Sequence, residues 1–475
     1  MKMVKKFDFK QQLVKNAFLF AIFGFFVSVT TKAQLPTAHE IVGKMKVGIN
    51  LGNTLEAICG EDAWGAGKTS QRLIDSIRAA GFNTIRLPVA WFCHSDTVNS
   101  IIDETWIARV KEVVDYCINA DFYVIINAHW DKGWLENRVN EANQAEVNQR
   151  QHAYWTQIAE YFRDYDERLM FAGTNEPNVH DAKAMAVLMT YHQTFIDAVR
   201  ATGGNNSSRT LVIQGPSTDI DETIKLMTSM PTDEIDNRLI LEVHYYTPYQ
   251  FCLMDKDASW GKMFYYWGKG NHSKTDISRN ATWGEEADVE KLFGKMKTNF
   301  VDKGIPVIIG EYGAYKRKLS LPSDQELHEK SVEYYLRYVV QSAAEKGIIT
   351  YYWDTPGGLF NRSTGTVRDR GILNAIMQVP TDSPTDILLK SDNDIELYPN
   401  PFESTITIKL NEPDEIIGIS ILDINGRQIY SNKLNLQSND DILEINTTNL
   451  AEGIYFVNFN LQTGKQITRK MIVGK

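Results

Sequence analysis

The sequence predicts an α/β architecture: a (β/α)8 TIM barrel followed by a small all-β, immunoglobulin-like sandwich. Three observations carry this. Eight short apolar runs, each closed by polar residues, recur between residue 45 and about residue 378. Stretches of helical periodicity alternate with them. Beyond residue 393 the composition changes, because the tail has neither Trp nor Cys and consists of short alternating runs spaced by turns.

The runs are Val47–Leu51, Thr84–Leu87, Tyr123–Asn127, Leu169–Gly173, Leu211–Gln214, Leu239–Val243, Val307–Gly310 and Ile348–Tyr352. Continuous apolar runs suit strands covered on both faces, as in a parallel sheet. Between them Leu73, Ile74, Ile77 and Ala80 share one helical face, with Gly81 at the C-terminal cap position. Ile107, Val110, Val114, Cys117 and Ile118 form another such face. A doubly wound open sheet would carry a Gly-rich phosphate loop after its first strand. That position reads Leu51-Gly52-Asn53-Thr54-Leu55-Glu56, which favours the barrel.

The length of 475 residues accommodates a barrel of about 250 residues or more plus a smaller domain. With 43% apolar and 23% charged residues the composition is that of an ordinary globular protein. A net charge of -10 and a pI near 5.5 leave no basic footprint for nucleic acid or anionic membranes.

Residues 1–33 read as a signal peptide. Lys2, Lys5, Lys6, Lys10 and Lys15 precede an apolar stretch, Ala17–Val29, and Thr31-Lys32-Ala33 forms a small-residue cleavage site before Gln34. At 13 residues the stretch falls short of the roughly 20 that a spanning helix needs. The mature barrel domain is expected over 34–378, a Pro- and acid-containing linker over 379–393, and the sandwich over 394–475, with Asn425-Gly426 as a hairpin turn. Cys59, Cys93, Cys117 and Cys252 permit disulfides in an exported chain. At most one bridge is expected, since a chain this long buries its own core. No CxxC or HxH pair is present, and no metal or cofactor is expected.

In a barrel the chemistry collects at the C-terminal ends of the strands. Reading those ends in order yields Arg86, then Asn127, His129 and Trp130, then Asn175-Glu176-Pro177, then His244, Tyr245 and Tyr246, then Glu311-Tyr312, and finally Trp353-Asp354. Two glutamates at the ends of strands four and seven, with His, Tyr, Asn and Trp around them, point to a carboxylate-pair hydrolase. Glycosidic cleavage needs such a pair without a metal: one carboxyl protonates the leaving oxygen, and the other attacks the anomeric carbon or activates water. Aromatic rings in the strand-end loops suit the apolar faces of sugars. Trp130, Trp134 and Trp353 are the expected platforms. Trp106 and Trp155, in helical stretches, are expected in the core.

The segments GINLGNTLEA (Gly48–Ala57), FNTIRLPVAW (Phe82–Trp91), NAHWDKGWLE (Asn127–Glu136), FAGTNEPN (Phe171–Asn178), EVHYYTPYQF (Glu242–Phe251), VIIGEYGA (Val307–Ala314) and TYYWDTPGG (Thr350–Gly358) resemble, in family order, glycoside hydrolase family 5, particularly its β-1,4-glucanase and xyloglucanase members. The resemblance implies a retaining mechanism with Glu176 as acid/base and Glu311 as nucleophile. It implies that Arg86 and Tyr246 orient the nucleophile, that Asn175 binds the sugar 2-hydroxyl, that His129 and His244 are the family's site histidines, and that Trp353 is the aromatic floor where the bond breaks. Asn53 matches a sugar-contact position. Many relatives have a second His where this chain has Trp130, which affects sugar contacts and not the mechanism. Retention implies carboxyls about 5–5.5 Å apart. On that geometry the charge of Glu311 is expected to raise the pKa of Glu176, and Arg86 to lower that of Glu311.

In the tail, Leu397-Tyr398-Pro399-Asn400-Pro401-Phe402, Asp423-Ile424-Asn425-Gly426-Arg427, Leu450–Tyr455 and Lys470–Val473 resemble the C-terminal sorting domain of Bacteroidetes type IX secretion cargo. That implies the type IX machinery as a partner and a final location outside the cell or on the outer-membrane surface. A carbohydrate-binding module is the competing reading of the tail, disfavoured by the missing Trp. The expected substrate is a β-glucan: cellulose, mixed-linkage glucan or xyloglucan. Rival readings are a mannanase or xylanase on the same machinery, or a noncatalytic glycan-binding surface protein, which the paired glutamates disfavour. A metal-dependent amidohydrolase barrel would need His-x-His after strand one, where the chain has Asn50-Leu51-Gly52-Asn53. Nothing signals oligomerisation, so a monomer is expected.

Overall fold

The computed structural model describes residues 35–377 and, beyond them, 395–398, 405–410, 416–423, 427–433, 442–446, 450–461 and 466–473. The expected signal peptide, the linker and the Asn425-Gly426 turn lie outside the described residues. The chain divides into two compact units between Val379 and Pro380.

In the first unit eight parallel strands close into a barrel: β1 (Gly48–Leu51), β2 (Thr84–Leu87), β3 (Tyr123–Asn127), β4 (Leu169–Ala172), β5 (Leu211–Gln214), β6 (Leu239–Tyr245), β7 (Val307–Tyr312) and β8 (Ile349–Asp354), with β8 pairing back to β1. All eight expected runs are strands. The last three run past their apolar stretch, so His244, Glu311 and Trp353 belong to the ladder and not to loops.

Strand alternation sorts the side chains. Ile85, Val124, Phe171, Ile213, Leu241 and Ile309 pack with helix residues such as Ile77, Val114 and Trp155. Ile125, Met170, Val212, Ile240, Ile308 and Tyr351 form a separate inner cluster. A one-turn helix, Ala38–Val42, adds Ala38, Ile41 and Val42 to that inner cluster and stoppers this end of the barrel. Its capping box, Thr37 with Glu40, satisfies the first helical N–H groups reciprocally. Nearer the C-terminal ends the inward positions turn polar: Asn50, Arg86, Gln214 and Glu242 are all fully buried.

The surrounding helices are α1 (Gln71–Ala79), α2 (Glu104–Asn119), α3 (Gln144–Tyr161), α4 (Ala182–Ala201), α5 (Ile220–Leu226), α6 (Glu286–Asn299), α7 (Pro322–Glu345) and α8 (Arg370–Met377). Helix α1 starts where the Ser70 hydroxyl accepts the Leu73 N–H, and it buries Leu73, Ile74 and Ile77 as its spacing predicts. Trp106 in α2 and Trp155 in α3 are core residues, as expected.

In the second unit, β9 (Ile395–Tyr398), β10 (Thr405–Leu410) and β13 (Ile442–Asn446) form one antiparallel sheet. The other holds β11 (Ile416–Leu422), β12 (Gln428–Lys433), β14 (Gly453–Leu461) and β15 (Gln466–Val473) in the order β12-β11-β14-β15. Ile408 and Ile445 of the first sheet share a core with Ile419, Ile421, Val457, Phe459, Met471 and Val473 of the second, which makes a small sandwich. Strands β9 and β12 stand at the edges of their sheets and carry the weakest sequence signals, β9 being four residues long and β12 mostly polar. Tyr430 and Phe456 are partly exposed and not in the core.

Cys59 and Cys93 form a disulfide between the loops after β1 and β2, while Cys117 and Cys252 remain buried thiols. The bridge spans 34 residues. Its loss frees a loop whose closure entropy is worth roughly 3–4 kcal/mol. The double variant Cys59→Ser, Cys93→Ser is expected to lose stability of that order in urea unfolding, with an unchanged far-UV spectrum.

Candidate active site

The site is built around one guanidinium. Arg86 leaves β2 pointing into the barrel and is 0% exposed. Its Nη1 donates to Asn50 Oδ1 of β1 at 2.9 Å and to Glu311 Oε1 of β7 at 3.0 Å. Nη2 donates to Asn175 Oδ1, after β4, at 2.7 Å, and Nε lies 2.9 Å from Glu242 Oε1 of β6. Five segments are thereby tied at one cation. The expected partner Tyr246 is also there, its hydroxyl donating to Glu311 Oε2 at 3.1 Å.

Glu311 faces inward because of a β-bulge. Glu242 is in register with Ile308 and Val243 with Ile309, but His244 pairs with Glu311, leaving Gly310 as the extra residue. Strict alternation from the interior residue Ile308 would turn Glu311 outward. Gly310 has to be glycine for a second reason: a Cβ there would lie 1.8 Å from Glu242 Oε1.

His244 bridges the carboxylates. Its Nδ1 is 2.7 Å from Glu176 Oε1 and 3.7 Å from Glu311 Oε2, and its Nε2 is 3.2 Å from Glu242 Oε1. One oxygen of each of Glu176 and Glu311 and a nitrogen of His244 lie within 4.8 Å of one another. Glu311 is almost closed off, whereas 45% of the Glu176 side chain is open to solvent.

Arg86 pulls Glu311 down as expected, but the net shifts of the pair run the other way. Burial works to raise the Glu176 carboxyl, but the hydrogen bond and the charge of His244 prevail and hold it below the ordinary range. Burial pushes Glu311 up against the pull of His244 and Arg86. Burial likewise opposes charge on His244, yet Glu311 and the hydrogen bonds to Glu176 and Glu242 lift it to about 10. The raised His244 and the lowered Glu176 favour a charged imidazole against a Glu176 carboxylate.

The remaining expected residues divide. His129 stacks on Trp353, centroids 5.7 Å apart, and Asn127 Nδ2 lies 3.2 Å from its Nδ1. Burial and the Arg86 charge hold His129 well below its usual range, so it is neutral. Trp130 is 44% exposed beside it. Trp134 corrects the expectation: it is 4% exposed, edge-on to Tyr154 with the Arg150 guanidinium over its ring, and has no free face for a sugar. Asn53 adopts a left-handed backbone at φ 56°, and its N–H is bound by Glu56, so it shapes the turn after β1.

Several groups escaped the sequence reading. Glu242 is fully buried and accepts from Gln214 Nε2 at 2.6 Å as well as meeting Arg86 and His244. Its signal was present, as a lone charge within an apolar strand run. Asn50 was visible in the same way. Glu56 and Glu136 lie in loops, where an acidic residue carries no such signal.

Residues 45–357 match the family described as Cellulase (glycosyl hydrolase family 5). The chain belongs to glycosyl hydrolase family 5. Residues 396–474 match the secretion system C-terminal sorting domain. Among family 5 proteins, the chain is 37% identical over 366 residues to a xyloglucan-specific endo-β-1,4-glucanase of Bacteroides ovatus, covering 72% of this chain and 70% of that one. It is 33% identical to endoglucanase A of Paenibacillus barcinonensis, covering 79% and 99%. A xyloglucan-specific β-1,4-glucanase from a ruminal metagenomic library, solved in complex with XXLG, is 42% identical with a TM-score of 0.66, covering 72% and 95%. The chain is thus a family 5 glycoside hydrolase carrying a sorting domain for export.

Two outcomes follow from this geometry. Gly310→Ala is expected to cost about 1–3 kcal/mol and to inactivate, since the new methyl displaces Glu242 and with it Arg86 and Glu311; thermal melting and activity measure both. The His244 pKa in the folded protein is raised from 6.5 to about 10. Its contribution to stability is therefore fully present below the unfolded value and is lost as pH rises toward the folded one. In urea unfolding, wild type and His244→Gln should differ most at about pH 6 and converge near pH 10.

Proposed function

We propose that the protein is an exported, retaining endo-β-1,4-glucanase, with Glu311 as nucleophile, Glu176 as acid/base and xyloglucan as its foremost substrate. The observation that carries the mechanism is the placement of the two carboxylates, with oxygens within 4.8 Å of each other at the ends of β4 and β7. Carboxyls this close suit the nucleophile and acid/base pair of a retaining enzyme better than the wider spacing of an inverting one.

Each group has a role in this reading. Arg86 and the Tyr246 hydroxyl aim Glu311 at the anomeric carbon. His244 Nδ1 passes its proton along the 2.7 Å contact to Glu176 Oε1, and Glu242 on Nε2 keeps the imidazole in place. Glu176 then protonates the leaving glucan oxygen as the Glu311–sugar ester forms. In the second half Glu176, now anionic, takes a proton from water, whose hydroxyl displaces Glu311 from the anomeric carbon. Trp353, stacked with His129, supplies the sugar floor, and exposed Trp130 extends it. Asn175, held by Arg86, is placed for the 2-hydroxyl.

Substrate choice is supported by the relatives named for xyloglucan, which include the 42% identical neighbour. Residues 1–33 are proposed to direct export across the inner membrane, after which the sorting domain engages type IX secretion.

Reducing-sugar release by the full chain tests the reading on xyloglucan, carboxymethylcellulose, mixed-linkage β-glucan, glucomannan and xylan. Xyloglucan is expected to be preferred. Glu176→Gln should lower kcat by about 10²–10⁴-fold on it, and Glu311→Gln should abolish turnover. Preference for mannan or xylan would overturn the substrate, and activity surviving both substitutions would overturn the residues.

A further inference from the structure

We propose that Glu136 is a positioning residue for the acid/base carboxyl: it clamps the Asn175–Glu176–Pro177 turn, and its charge acts on the proton held by the Glu176–His244 pair. This rests on Glu176 being the acid/base.

Glu136 lies in the loop after β3, in a single 3-10 turn, Glu136–Arg138. Its Oε1 accepts the main-chain N–H of Glu176 at 2.6 Å. Its own carbonyl accepts the N–H of Asn178 at 3.0 Å. One residue therefore grips the chain on both sides of Pro177, across 40 positions of sequence. The next residue adds a third tie, Asn137 Oδ1 accepting from Asn178 Nδ2 at 2.6 Å.

Glu136 is 4% exposed. A buried carboxylate costs several kcal/mol unless it is compensated. Here compensation is incomplete. Burial raises its pKa to about 7, the Glu176 N–H and the Asn175 side chain pull it down, and the charges of Glu176 and Glu311 push it up. Those two carboxylates are themselves bound by His244 and Arg86. Arg138 on the same turn is committed elsewhere, to Glu146 at 2.6 Å. The repulsion is mutual, so an ionised Glu136 makes it harder for the hydrogen-bonded Glu176–His244 pair to lose its proton.

Leaving-group dependence distinguishes this role from plain structural support. The full chain is compared on 2,4-dinitrophenyl β-cellobioside, whose leaving group needs no proton, and on a β-1,4-glucan oligosaccharide, whose leaving group does. Glu136→Ala removes clamp and charge, and Glu136→Gln removes only the charge. Glu136→Ala is expected to lose on the order of 10-fold in kcat/KM on the oligosaccharide and no more than about threefold on the activated glycoside. Glu136→Gln should move the alkaline limb of the kcat/KM profile to lower pH. An equal loss on both substrates together with an unmoved limb would overturn the proposal. If Glu136→Ala does not fold, the limb of Glu136→Gln decides alone. Glu176→Gln run alongside should show strong leaving-group dependence; if it does not, the acid/base assignment and this proposal fall together.

Discussion

Arg86 is a cation without access to water. Burying a guanidinium costs several kcal/mol unless its donors are all met by well-placed acceptors. Here the acceptors are Asn50, Glu242, Glu311 and Asn175, drawn from four different parts of the barrel rim. Because no single neighbour compensates the charge, the strands that supply these groups must hold a common register. The same contacts that make the cation tolerable aim Glu311 and present Asn175, so stability and site geometry are one requirement.

The acidic side of the cluster is as crowded as the basic side is sparse. Glu176, Glu242 and Glu311 share Arg86 and one imidazole. His244 answers this by keeping its proton, with Glu242 fixing one ring nitrogen and Glu176 meeting the other. A second layer of carboxyls, Glu56 and Glu136, sits just outside with values raised to about 7 by burial. Both bind main-chain N–H groups of the loops that carry site residues.

The bulge at Gly310 shows how local chemistry serves this arrangement. A side chain at that position would collide with Glu242, and a regular strand would face Glu311 the wrong way. Glycine and one extra residue solve both problems at once. The Cys59–Cys93 bridge acts on the same rim at longer range by tying the first two loops together.

Much of this was legible in the residue order. The eight barrel strands, the helical faces around Ile77 and Val114, the sandwich tail and the strand-end residues Arg86, Glu176, His244 and Glu311 all follow from periodicity and from position at strand ends. Those are local properties, set by backbone geometry and by the need to bury apolar faces. The edge strands β9 and β12 carry weak signals, the first because it is four residues long and the second because it is mostly polar. Trp134 was misjudged for a different reason: a loop aromatic shows its ring in the sequence but not its neighbours, and only packing reveals Tyr154 and Arg150 against it. Glu242 and Glu136 acquire meaning only when chain segments far apart in sequence converge. The location of the proton belongs to the same class. A pKa depends on every charge within a few ångströms, and which charges those are is decided by tertiary structure alone.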